Sequence, residues 1–118
     1  MVRSARAGET PPLTNLAFQV LLALGQGPLH GYAIIRDIEE RTDGRLSVRS
    51  GTLYTMIQRL QEDGMVEDAP PPDELQVDSR RKYYRITSAG RRAAGVEAER
   101  LTELLAVARA RKLAPGAP

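Results

Sequence analysis

With 118 residues, no cysteine, one histidine and a net charge of only +2, the chain has room for a single hydrophobic core. It has no means for disulfides, cysteine zinc sites or cysteine nucleophiles. Its longest apolar run, residues 20–24, is far short of the roughly 20 residues that span a bilayer, and residues 1–12 lack the apolar centre of a signal peptide, so a cytoplasmic protein with no membrane partner is expected.

In chain order, residues 1–12 are rich in small, polar and proline residues without periodicity and read as a flexible tail carrying Arg3 and Arg6. Leu13, Leu16, Ala17, Val20, Leu21 and Leu24 recur at helical steps, which predicts a helix from near Thr14 to Gly25 or Gly27. Phe18 and Leu22 add a second apolar flank, so this helix is expected to serve both the core and a subunit contact. Gly27-Pro28 breaks the chain. A second helix over 31–41 points Ile34, Ile35 and Ile38 inward and ends by Gly44.

The third helix takes Ser47 or Ser50 as its cap and stops at Gly64. Leu53, Met56, Ile57 and Leu60 form its inner face, leaving Thr52, Thr55, Gln58 and Arg59 outside. Met65-Val66 then reads as a brief strand and residues 82–87 as a second, with Tyr84 and Ile86 on one face and Tyr83 and Arg85 on the other. The loop between them begins with Pro70-Pro71-Pro72 and is expected to be extended and mobile. Every charge over 62–78 is acidic and every charge over 79–92 is basic, a segregation that predicts concentrated positive potential on one part of the surface. Thr87 caps a last helix to about Lys112, in which Ala94, Ala98, Leu101, Leu105 and Ala108 form a short seam and Gly95 costs roughly 1 kcal/mol. Residues 114–118 read as a flexible tail.

Three helices, two strands and a basic second strand predict a mainly α fold with a small β-hairpin: a winged helix-turn-helix followed by a C-terminal dimerisation helix. The boundaries read as 1–12 tail, 13–90 winged helix-turn-helix, 91–113 dimerisation helix and 114–118 tail. The chain resembles the PadR family of bacterial transcriptional regulators through Gly27-Pro28-Leu29-His30-Gly31-Tyr32, Ser50-Gly51-Thr52-Leu53-Tyr54, Arg59-Leu60, Gly64-Met65-Val66 and Arg81-Lys82-Tyr83-Tyr84-Arg85-Ile86-Thr87-Ser88-Ala89-Gly90. The likeness runs from about Leu13 to Gly90, and the last helix follows in general character, like that of the family's smaller members. It departs at Arg49-Ser50, where relatives often carry serine-proline, and at Thr55, where proline is common.

The resemblance implies a homodimeric repressor on an imperfectly palindromic operator in double-stranded DNA. Its interface is expected from the first and last helices, with Leu16, Val20, Leu101, Leu104, Leu105 and Ala108 as contacts. The DNA-facing candidates are Arg49, Ser50, Thr52, Tyr54, Thr55, Gln58 and Arg59 on the third helix and Arg80, Arg81 and Lys82 at the wing. A small-molecule effector is expected to change the spacing or angle of the two reading helices. The acidic run before the wing opposes close approach of the hairpin tip to phosphates and supports the alternative of a winged-helix protein-interaction module with little DNA affinity.

The remaining side chains have structural readings. His30 is expected as a turn residue rather than a metal ligand or pH switch, and Tyr32, Tyr83 and Tyr84 as core and wing packing. Phe18 reads as core or interface. The acid pairs Glu62-Asp63, Glu67-Asp68 and Asp73-Glu74 read as solvated. No nucleophile and base stand at a usable spacing, so neither an enzyme nor a cofactor or metal is expected.

Overall fold

A computed structural model describes residues 12–72 and 81–116. Helix α1 (Asn15–Ala23) starts where the Thr14 hydroxyl accepts the Ala17 N–H at 3.1 Å, then tightens into a 3-10 turn over Leu24–Gln26. Leu29–His30 forms a short strand, β1, and His30 caps helix α2 (Gly31–Arg41). Gly44 ends α2 in the left-handed region (φ 76°), with its N–H on the Glu39 carbonyl at 2.8 Å. The Arg41 guanidinium fastens α2 to α1 through the Gln19 side chain at 2.7 Å and its carbonyl at 3.1 Å.

Helix α3 (Ser50–Glu62) follows, and here the serine caps predicted from sequence fail. Arg49 is the cap residue and no side chain closes the helix start. Ser50 is already inside the helix, and Ser47 is diverted by α2, its hydroxyl donating to the Glu39 carboxylate at 3.2 Å. The C-terminus behaves as expected: Gly64 has φ 76°, and the Met65 N–H returns to the Leu60 carbonyl at 2.8 Å.

Strands β2 (Val66–Ala69) and β3 (Tyr83–Ile86) pair antiparallel, and β1 adds to the other edge of β3. Leu29 lies opposite Tyr84, and His30 opposite Tyr83. Thr87 then caps helix α4 (Ser88–Ala110), accepting the Gly90 N–H at 3.0 Å and donating to the Gly64 carbonyl at 2.6 Å. A β-carbon on Gly90 would collide with the Met65 carbonyl and Ile86, so this glycine sets how closely α4 docks on the sheet.

Leu21, Leu24, Ile34, Ile38, Leu53 and Ile57 form the fully buried centre, which α1, α2 and α3 enclose and Val66 and Tyr84 close from the sheet. Val20 belongs to this centre at 0 % exposure, so it has no surface left for a second subunit, contrary to its expected place in an interface. Only the start of α4 joins the core, through Ala93 and Glu97. The Glu97 carboxylate accepts the Leu13 N–H at 3.0 Å and pairs with Arg100, tying the entry of α1 to α4. Beyond Arg100, Leu101, Leu104, Leu105 and Val107 are all exposed. The packing boundary therefore lies near Arg100, inside one unbroken helix, rather than at residue 90.

Candidate nucleic-acid interface

The period of α3 sorts its side chains. Leu53, Ile57 and Leu60 are buried, while Arg49, Thr52, Thr55 and Arg59 stand in solvent along one edge and Ser50 and Gln58 are exposed on the adjoining stripe. Beside that edge runs a groove of about 610 Å³, lined by Leu16 of α1 together with Arg49, Thr52, Thr55, Met56 and Arg59. The arrangement offers guanidinium, amide and hydroxyl groups to an extended polyanion, with open backbone N–H groups at the uncapped helix start.

Tyr54 points away from that edge. Its ring and hydroxyl rest on Gly31 at the start of α2, where a β-carbon would strike the phenol. It remains about half exposed, its ring packed against Gly31. Behind it, burial first, then Tyr54 and Asp68, push the Tyr84 phenol upward from its ordinary pKa.

At the wing base, the Arg81 guanidinium lies 2.9 Å from His30 Nε2, while His30 Nδ1 faces the Ala33 N–H at 3.3 Å. A neutral imidazole has one acceptor nitrogen, so one tautomer serves Arg81 and the other caps α2; a protonated ring serves neither. Burial, then the Arg81 charge, push the His30 pKa below its ordinary 6.5. His30 also stacks on Tyr32 at 6.4 Å and meets the edge of Tyr83 at 5.4 Å. The turn role expected of it from sequence is thus joined by a contact to the wing, 51 positions away in sequence.

The other wing cations are also held. Lys82 Nζ lies 3.6 Å from Asp68, and Arg85 lies 2.7 Å from Glu67, its direct cross-strand partner. Asp68 in addition accepts from the Gln61 side chain of α3 at 2.8 Å. The expected concentration of positive potential is reduced at the wing by this register, which sets Glu67 against Arg85 and Asp68 beside Lys82, so that these charges cancel locally. Glu67 and Asp68 were missed as partners of the wing cations, although pairing an acidic strand with a basic one across a hairpin was the signal that would have found them; Gln61, on α3, carried no such signal. Arg80, with the acidic loop residues Asp73, Glu74 and Asp78, lies outside the described residues. Of the interface candidates, Leu101, Leu104 and Leu105 are exposed on α4, Ala108 is partly covered, and Leu16 borders the α3 groove. Among the described residues, no group of three or more His, Asp or Glu side chains could hold a metal ion, and no helix is long and apolar enough to cross a membrane.

Residues 20–96 match the model of the transcriptional regulator PadR-like family. The fold is similar to that of a transcriptional regulator from Clostridium thermocellum, at 26% identity and TM-score 0.68, over 80% of this chain and 86% of that one. It is also similar to Bacillus subtilis PadR, solved in complex with operator DNA, at 21% identity and TM-score 0.56, over 68% of this chain and 44% of that one. The chain spans 55% and 22% of the lengths of two curated relatives it matches, the first a Lysinibacillus sphaericus protein 36% identical over 62 residues, or 52% of this chain.

Proposed function

Because the chain belongs to the PadR-like family of transcriptional regulators, we propose that it acts as a homodimeric repressor. It occupies a palindromic operator in double-stranded DNA and leaves it when a small-molecule effector changes the spacing of its two α3 helices. The observation that carries this reading is the outer edge of α3, where Arg49, Thr52, Thr55, Gln58 and Arg59 are exposed together over a buried apolar face. Gln58 and the arginines suit base edges in the major groove; Ser50 and Thr52 suit phosphates at the helix start. Arg81 and Lys82 would meet the flanking backbone from the wing base. Operator binding by Bacillus subtilis PadR supports the DNA partner. The bare leucines of α4 support pairing of two copies through residues 101–108, with α1 alongside.

A second reading, a winged-helix module that docks proteins and has little affinity for DNA, is favoured by one observation: Lys82 and Arg85 are held by acidic neighbours within the wing, and Arg81 by His30 at the start of α2. A gel shift against the DNA upstream of the protein's own gene, repeated at several salt concentrations with random competitor, separates the two. The repressor reading expects the upstream fragment to stay bound under competition. Equal affinity for both DNAs removes it, and no shift at low salt leaves the docking module.

A further inference from the structure

We propose that Asp68 is an internal phosphate surrogate on the wing: its carboxylate occupies the Lys82 ammonium that would otherwise meet the DNA backbone, and ties it to the recognition helix through Gln61. The inference rests on the DNA-binding reading above. In the β2–β3 register Asp68 faces Tyr84, so Lys82, two residues earlier, is its diagonal neighbour on the same face of the ribbon. The two carboxylate oxygens are divided between elements, Oδ2 toward Lys82 Nζ at 3.6 Å and Oδ1 accepting from Gln61 Nε2 at 2.8 Å. One anionic group thus joins the helix that reads and the strand that supports it.

To an ammonium, a carboxylate and a phosphodiester present the same chemistry, an anionic oxygen. The Lys82 and Asp68 side chains are 66% and 59% exposed, so their pair is weak and open to exchange. Docking Lys82 on DNA is therefore a swap of partners. A free lysine that neutralises a phosphate releases about 0.9 of a counterion from the duplex. A lysine that must first leave Asp68 exposes a carboxylate beside the phosphates, which recruits a cation and cancels part of that release. Asp68 accordingly lowers affinity for any duplex and flattens its salt dependence. Glu67 does the same to Arg85 on the opposite face of the ribbon, without a bond to α3.

The test is Asp68→Asn, because the amide oxygen still accepts from Gln61 while the charge is gone. Binding is measured by fluorescence anisotropy on a random-sequence duplex, since a wing contact to phosphate is independent of sequence, across a series of salt concentrations. The variant is expected to bind about three- to five-fold tighter at low salt and to steepen the log–log salt slope by part of the roughly 0.9 that one free lysine contributes. Asp68→Ala, which also cuts the tether, is expected to gain less. Equal gains in both variants overturn the tether. An Asp68→Asn variant with unchanged slope and affinity, beside a wild-type protein that binds, overturns the surrogate alone; a wild-type protein that binds no duplex at low salt overturns the DNA-binding reading and this inference with it.

Discussion

His30 serves two claimants with one lone pair, the Ala33 N–H at the start of α2 and the Arg81 guanidinium of the wing. Its folded pKa is pushed below 6.5, so between that lowered value and 6.5 the unfolded chain binds the extra proton and the folded one does not. Stability from this residue is therefore complete above pH 6.5 and is lost as pH falls toward the folded value. His30→Asn keeps a capping side chain without a titratable ring, and urea titrations of the two proteins between pH 5 and 7 should show the variant's stability flatter with pH. Glu97 acts lower on the scale. The Arg100 pair first, and the Leu13 N–H second, hold its carboxyl below the usual carboxylate range, so its contribution is present above an ordinary carboxyl pKa and disappears as pH falls through the folded one. Glu97→Gln should remove that acid step in thermal melts. The contacts to Arg81 and Leu13 were not legible in the sequence, because tertiary packing alone brings them to these side chains, whereas the local cap at Thr87 was visible from residue type and position.

The helices were legible because their apolar spacing is regular: α2 spans the residues expected of it, and α3 ends at the expected glycine. Strand β1 was not, since two residues carry no alternation and pair only because β3 offers an open edge. The second wing strand was placed to within a residue at each end, but the first, expected at Met65-Val66, runs Val66–Ala69, and the consequence of both for charge needed the register. Three element-level predictions follow from packing and exposure. Gly90→Ala forces α4 away from the Met65 carbonyl and should destabilise the fold by about 1–3 kcal/mol in denaturant titrations. On DNA, Gln58→Ala should change preference at one base position by about 1–3 kcal/mol in a substituted-operator series, while Arg81→Ala with Lys82→Ala should weaken binding to all sequences and flatten the salt slope. A double variant with the wild-type slope would remove the wing from the interface.

At the scale of the molecule, α4 is one helix in two environments. Its first turns lie on α1 and β3, and its second half presents Leu101, Leu104, Leu105 and Val107 to solvent. Isolated helical stretches of this length are marginal in water, and bare leucines favour a second copy as cover. Leu104→Glu with Leu105→Glu should yield monomers by sedimentation. It should also lose operator affinity by at least about ten-fold, because two readers one helical turn of DNA apart are no longer linked. Unchanged sedimentation would move the interface elsewhere. The sequence pattern located this helix; it could not tell that Val20 is spent on the protein's own core, since an apolar residue on a two-sided helix reads the same whichever neighbour covers it.

All four tyrosines gather at one joint: Tyr32 and Tyr83 against His30, Tyr54 on the first turn of α2, and Tyr84 behind it in β3. With no tryptophan elsewhere, the chain's near-ultraviolet signal comes almost wholly from the seam where the reading helix, its supporting helix and the wing meet. The protein thus carries its own optical gauge of that seam, and a shift in tyrosine emission on adding DNA or a small molecule would register movement there without any attached dye.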